Sequence, residues 1–427
     1  MQATMQSIFQ AHFAQYAHGR TLCVRELRAA WAISSCRTAA LGGHVLRCEQ
    51  GHTEQIRYHS CRHRSCTRCS AQPRQQWAEA HTRKLLACEH RHIIFTLPHE
   101  LNGLWAYNRS RLAALLFDSV RETLLQLCAD ERWLGVTPGI VLALHTWGRT
   151  LSRHPHVHCL VSEGGLNASG QWQASTASFL LPVRVLKSLY RGKLLARLSH
   201  AVRCGRLVLP PSLPAPRWRA LLRALYRKNF NLDVGERYAH GMGVVRYLAR
   251  YVKGGALSAR RLTLRRDRSS KPQVAFAYTD HRDGRAKRLR LAPAQLIERV
   301  LWHAPPRGQH TVRHAGLYAS GARAQRERCA RLIAATVPPH TAWPLLPAAP
   351  SATTLVPSCP TCTQPLRRIA SLLPAHRFGE FSNTRRRSPP RQAQRGVEAD
   401  APLPLMPRVH STQPPQHFLS PSGALLN

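Results

Sequence analysis

Three groups of side chains in this sequence could do chemistry. The first lies in the stretch Arg153-His-Pro-His-Val-His-Cys-Leu-Val161. On a strand, successive side chains alternate between faces, so His156 and His158 project together while Val157, Cys159 and Val161 point the other way, into a core. Two imidazoles held side by side can bind a divalent ion; a pair of half-exposed histidines is the plainer alternative. The second group is a run of potential zinc ligands: Cys36, His44, Cys48, His52, Cys61, His63, Cys66 and Cys69. Cys66-Thr-Arg-Cys69 has the two-residue spacing that lets both thiolates reach one tetrahedral zinc. Cys48 and His52 could supply the other pair, making a Cys3His site. Cys36, His44, Cys61 and His63 then remain as a second site or as bystanders. The cluster is too dense and too polar to read as ordinary buried cysteines. The third group is Tyr247 and Tyr251, one helical turn apart, with Arg246, Arg250 and Lys253 keeping their neighbourhood positive. Taken alone, tyrosines at that spacing read as core packing with an amphipathic edge.

Each group needs an element to hold it. The apolar run Ile140-Val-Leu-Ala-Leu-His-Thr-Trp147 precedes the histidines, and a break containing Gly148 and Pro155 separates the two, which predicts a β-hairpin. His145 on the first strand is a candidate third metal ligand if the hairpin register brings it opposite. His92-Ile-Ile-Phe-Thr-Leu97 reads as a further strand ended by Pro98, and residues 101–130 read as helix. Helices are also expected over residues 1–35 and from Pro73 to Ala87, and over 180–232 with a Pro-rich interruption at Leu209–Pro216. Gly243–Lys253 is rich in helix formers and stops at Gly254-Gly255, which places the two tyrosines on one helical face. Alternating strand character follows at Val274–Tyr278 and Arg288–Leu291, and a last ordered segment runs from Arg299 to Tyr318.

Composition narrows the partners. The 427 residues include 62 Lys plus Arg against 21 Asp plus Glu, a formal charge of +41 spread along the whole chain. Such an excess repels itself unless a polyanion is present, so nucleic acid is the expected partner. There is no apolar run of membrane-spanning length and no signal peptide, so no membrane role is expected and the location reads as cytoplasmic, nucleoid-associated when acting on DNA. In that compartment the 13 cysteines favour metal over disulfides. Beyond about residue 335 lie more than half of the 30 prolines, and this tail is expected to be largely disordered, with Cys359-Pro-Thr-Cys362 as an isolated half of a zinc knuckle.

Taken together, these residues resemble the rolling-circle insertion-sequence transposases of the HUH superfamily, of the two-tyrosine type. The resemblance runs in colinear order through Ser60–Cys66, Ile94–Leu101, Leu144–Gly148, His154–His158 with Gly164-Gly165, Arg246–Val252 and Arg313–Tyr318. Two departures stand out: Cys48-x3-His52 where two cysteines would be expected, and Thr67 where such knuckles carry Pro. The resemblance implies a His-hydrophobic-His metal motif at His156 and His158 for Mg²⁺ or Mn²⁺, with Tyr247 and Tyr251 as nucleophiles. It also implies structural zinc drawn from Cys48, His52, Cys61, Cys66 and Cys69, and DNA contacts from Arg246, Arg250 and Lys253. The expected reaction is single-strand cleavage and rejoining of element ends, single-stranded or hairpin, and of target DNA, through a 5′-phosphotyrosine. Tyr251, nearer the flexible helix end, is expected to act first.

The fold class that follows is α+β. An antiparallel HUH-endonuclease sheet with helices spans residues 91–335, after an N-terminal helix and zinc-binding module in 1–90 and before a disordered Pro-rich tail in 336–427. The chain has no G-x-x-x-x-G-K-[ST] loop, so no nucleotide cofactor is expected. Two other readings share parts of this pattern. A replication initiator or relaxase would use the same chemistry, and a decayed element would leave a non-catalytic zinc-dependent DNA-binding protein.

Overall fold

A computed structural model describes residues 3–69, 71–175, 181–252, 257, 262–266, 270–280, 283–336 and 357–375; the side chains of Arg250 and Tyr251 lie outside that description. In chain order the elements are helices α1 (Met5–Ala17) and α2 (Val24–Ser35), strands β1 (Gly43–Arg47) and β2 (Glu54–Tyr58), α3 (Ala71–Thr82) and β3 (His90–Thr96). Then come α4 (Asn102–Tyr107), α5 (Arg109–Ala129), β4 (Thr137–Trp147), β5 (Arg153–Leu166) and β6 (Trp172–Ala174). These are followed by α6 (Val183–Arg203), α7 (Ala215–Arg227), β7 (Leu232–Tyr238), α8 (Met242–Val252), β8 (Leu262–Arg266), β9 (Pro272–Thr279) and β10 (Ala286–Leu291). The last are α9 (Pro293–Trp302), β11 (Val312–Gly316), α10 (Arg323–Thr336) and β12 (Arg367–Leu372).

The hairpin is real, and it is the centre of the molecule. β4 and β5 pair antiparallel inside a sheet of order β11-β4-β5-β3-β7, with β6 adding to β5. Both faces of this sheet are covered, which is why β4 reads as an unbroken apolar run and not as an alternating one. One face meets α5, α6 and α7 through Val157, Cys159, Val161, Leu142 and Leu144 packed with Leu116, Phe117 and Tyr190. The other carries Val141, Ala143 and Leu160 against Trp77 of α3, Val244, Val245 and Leu248 of α8, and Cys329 of α10.

Tyr318, the last residue of the resemblance, is structural. Its ring lies so close to the backbone of Gly139 that a Cβ there would stand 2.8 Å from it. The Leu86 N–H donates to the Tyr318 hydroxyl (3.1 Å), which donates to His90 Nε2 (2.6 Å), whose Nδ1–H donates to the Cys88 carbonyl (2.9 Å). This chain of bonds fixes the α3–β3 connection against the loop after β11.

A second core joins the two ends of the expected domains. Phe9, Phe13 and Ile33 of α1 and α2 pack with Leu262, Val274 and Phe276 of the β10-β9-β8 sheet, and with Leu296 and Ile297 of α9. The apolar packing therefore does not break near residue 90.

One expectation needs correction. The CxxC expected to stand isolated in a disordered tail belongs instead to a folded segment: β12 pairs with β1, completing a sheet of order β12-β1-β2. The partner strand lies some 320 residues earlier, out of reach of any local pattern. Residues 337–356 and 376–427, on which the rest of that expectation falls, lie outside the described residues. Among the described residues, no helix is long and apolar enough to cross a membrane.

Candidate metal centre and zinc sites

The register of β4 against β5 places His145 directly opposite His156, and Ala143 opposite His158. Paired residues of an antiparallel ladder share a face, so the three imidazoles converge, with one ligand atom from each lying within 4.8 Å of the others. All three are buried. Burial keeps them neutral: it pushes His156 down to about 3 and holds His145 and His158 well below the usual histidine range. A neutral imidazole is the form that ligates a metal.

The ring nitrogens are sorted by their partners. His156 Nδ1 lies 2.5 Å from the His154 carbonyl, which can only accept, so Nδ1 carries the proton and Nε2 keeps the lone pair. His158 Nδ1 lies 2.8 Å from His92 Nε2, while His158 Nε2 is buried with no hydrogen-bond partner among the described residues. Burying such an atom costs free energy unless something meets it, and a cation at Nε2 would meet it. The donor set, three imidazoles of which His156 and His158 are oriented by hydrogen bonds to their other ring nitrogen, would suit Mn²⁺ and later divalent ions and accommodate Mg²⁺ less readily.

Tyr247 completes the cluster. Val244, Val245, Leu248 and Ala249 bury one face of α8 on the sheet, which leaves Tyr247 at the edge, 38 % exposed. Its ring centroid lies 5.7 Å from that of His158 and 6.1 Å from that of His92. Arg246, beside it, is exposed to solvent. Tyr251 falls on the same helix one turn later, with its side chain outside the described residues, as is that of Arg250; Lys253 lies outside them altogether.

His92 is the residue that sequence reasoning missed. It was read only as the start of a strand, although His90-Arg-His92 repeats the two-residue spacing of His156 and His158 and could have flagged a second histidine pair on one face. Burial lowers His92 to about 4.

The cysteines divide differently from the expected Cys3His set. Cys61, Cys66 and Cys69 gather with Cys36, and Cys48 and His52 gather with Cys359 and Cys362; in each group the ligand atoms lie within 4.8 Å of one another. Cys48 and His52 therefore do not share a site with Cys66 and Cys69. In the first group Cys36 Sγ stands 3.2 Å from Cys69 Sγ, which is 3.6 Å from Cys61 Sγ. Hydrogen bonds from Cys61 and Cys66 hold the Cys36 thiol well below the usual cysteine range. Thiolates bound to one tetrahedral zinc lie about 3.8 Å apart, close to these separations. His63 donates no ring nitrogen to either group, and His44 instead stacks edge-on against His59 at 4.5 Å between centroids.

Comparison with known proteins agrees with this arrangement. Residues 139–327 match a family model described as "Putative transposase", and residues 8–97 match the IS91-type "Transposase zinc-binding domain". The chain is 36% identical over 339 residues to "Putative transposase y4qJ" of Sinorhizobium fredii, covering 78% of this chain and 84% of that one. It is 31% identical over 292 residues to the transposase for insertion sequence element IS801 of Pseudomonas savastanoi pv. phaseolicola, covering 67% and 68% of the two chains. No solved structure matches. The cysteine groups and the matched zinc-binding domain make structural zinc part of the protein. With the relatives aligned over most of its length and both family regions in place, the chain belongs to the IS91 family of rolling-circle insertion-sequence transposases.

Proposed function

We propose that this transposase cuts and rejoins single-stranded or hairpin element ends and target DNA in the bacterial cytoplasm, through a covalent phosphotyrosine formed at Tyr247 and, in turn, Tyr251. The observation that carries the reading is the convergence of His145, His156 and His158, with the ring of Tyr247 edge-on to His158.

A DNA phosphodiester resists nucleophiles because its own charge repels them. A divalent ion held by the three imidazoles would polarise the scissile phosphate and offset that charge. The protein's residues do the rest. His92 and the His154 carbonyl fix the ring orientations of His158 and His156. Arg246, exposed beside Tyr247, is placed to pair with a backbone phosphate. The Tyr247 phenolic oxygen attacks phosphorus, and the bond to the 3′ oxygen breaks. The phenol's proton leaves for solvent and the departing oxygen gains one, giving a 5′-phosphotyrosine and a free 3′-hydroxyl. The ester keeps the energy of the original linkage, so a later 3′-hydroxyl can attack it and release the tyrosine without nucleotide hydrolysis.

Helix-end flexibility favours Tyr251 for the first strand; the ring of Tyr247 beside His158 and His92 supports assigning the first strand to Tyr247 instead. Tyr251, about 5.4 Å further along the axis, takes the second. Incubating the protein with a single-stranded end fragment and Mn²⁺ should give a covalent adduct on denaturing electrophoresis. Tyr247→Phe should abolish the first adduct and Tyr251→Phe should retain it but stop strand transfer. A hydrolytic nick without adduct would refute the reading.

A further inference from the structure

The group Cys48, His52, Cys359 and Cys362 lies partly outside the matched zinc-binding region, which ends at residue 97. Its two halves are built alike. Cys48 and His52 sit on the β1–β2 turn, where the Cys48 N–H donates to the Thr53 carbonyl and the Gly51 N–H to the Cys48 carbonyl, both at 3.0 Å. Cys359 and Cys362 sit on a tight turn before β12, closed by Thr363 N–H to the Cys359 carbonyl (2.9 Å) and Cys359 N–H to the Gln364 carbonyl (2.8 Å). The β1–β12 ladder ends at Arg47 opposite Arg367, which brings the two turns together. Cys48 Sγ then stands 3.5 Å from Cys362 Sγ and 3.8 Å from His52 Nδ1. These are the separations of ligands around one tetrahedral zinc, about 3.8 Å for a pair of thiolates.

Little else holds the segment. Its own buried cluster is Leu46, Cys48, Cys359 and Leu366, with Cys362 packed against it. Two buried leucines offset only a small part of the conformational entropy lost in ordering residues 357–372. The ladder adds backbone hydrogen bonds, but most residues of β2 and β12 are exposed, so it buries little further apolar surface. A metal cross-link would make up the difference, because zinc binding free energy becomes folding free energy where no site exists in the unfolded chain.

We propose that Cys48, His52, Cys359 and Cys362 form a second, independent zinc site that clips the C-terminal segment onto the N-terminal module. The site joins ligands 314 residues apart, so the histidine sheet and the tyrosine helix lie inside the loop it closes. The departure at Cys48-x3-His52 acquires a reason: the pair that completes this site comes from the other end of the protein. Removing the metal releases β12 and leaves β1 and β2 as a bare hairpin, while the Cys36, Cys61, Cys66 and Cys69 site stays loaded.

Metal content per chain tests this without reference to the cleavage chemistry. Purified full-length protein should hold two zinc ions by native mass spectrometry under reducing conditions. Cys359→Ser/Cys362→Ser should hold one, and trypsin should cut it at Arg367 and Arg368, sites protected in the wild type. In the wild-type protein itself, chelation should expose Cys359 and Cys362 to alkylation together with Cys48, ahead of or behind the other four cysteines as a set. One zinc in the wild type, two in the double variant, or a Cys48–Cys362 disulfide in the reduced-state peptide map would overturn the proposal.

Discussion

The histidine cluster and the second cysteine group are both metal-binding geometries, yet they are assembled in opposite ways. His145, His156 and His158 sit on adjacent strands of a doubly covered sheet, and ladder register alone brings them together. Cys48, His52, Cys359 and Cys362 sit on turns at the end of a mostly exposed sheet, where the β1–β12 ladder and a small cluster around Leu46 and Leu366 bring the halves together. In the first, the fold preforms a cluster that could take an ion. In the second, the proposed zinc would build the local structure. Losing the ion should therefore cost activity in one region and folding in the other.

The sharpest way to break that contrast is at the histidines. His156→Ala or His158→Ala should leave the melting temperature and zinc content nearly unchanged. Adduct formation should fall by about 10³-fold or more, since Lewis-acid stabilisation is worth several kcal/mol. Melting curves and adduct yields measured together check this; a collapse of the fold would erase the distinction between the two regions. Cys66→Ser/Cys69→Ser is the converse. Its zinc content should drop with its solubility, because Cys36 and Cys66 are also part of the core shared with α1, α2 and α9. Full zinc retention would remove Cys66 and Cys69 as ligands.

His92→Ala sharpens the comparison at smaller scale. It removes the partner of His158 Nδ1 without removing a ligand, so Mn²⁺ affinity should weaken by about 10–100-fold. Excess Mn²⁺ should restore cleavage, which a merely misfolded variant would not allow.

Acid should act on the sheet's supporting histidines. Burial lowers His90 and His303 to about 4 from an ordinary 6.5. His90 accepts from Tyr318 and donates to the Cys88 carbonyl; His303 donates to the Leu151 carbonyl and accepts from Thr146. Between those pH values the unfolded chain binds more protons than the folded one. Their stabilisation is thus complete above about pH 6.5 and is lost as pH falls toward about 4, on the order of 3 kcal/mol for each. A thermal melt flat from pH 7 to 4 would contradict these assignments. For the same reason, burial of His156 to about 3 moves any loss of ligand capacity below the pH 6.5 at which free imidazole titrates.

How much of this was legible in the sequence follows the same division. The hairpin, the facing of His156 and His158, the role of Val157 and Cys159 in the core and the tyrosine helix all follow from periods of two and 3.6, which are local. His145 was visible as a candidate, but only the ladder register could seat it opposite His156. His92 was hidden because it arrives from a strand that pairs with β5 across a long connection. The cysteines were legible as residue types and misread as a set: spacing favours neighbours such as Cys66 and Cys69, while Cys48 finds its partner at Cys362 through β1–β12 pairing. Proline content marked the tail correctly as unlike the rest, and could not indicate that nineteen residues within it, 357–375, return to the fold.

The central claim is that Tyr247, at the edge of α8 over the histidines, forms the first covalent bond to DNA. The direct test is to trap the adduct on a 5′-labelled single-stranded end fragment in Mn²⁺, digest it with protease and nuclease, and sequence the modified peptide. The account predicts a nucleotide phosphate on Tyr247 in the wild type, with none on any peptide of His156→Ala. A first adduct mapped to Tyr251 alone, or to a residue outside α8, would contradict it.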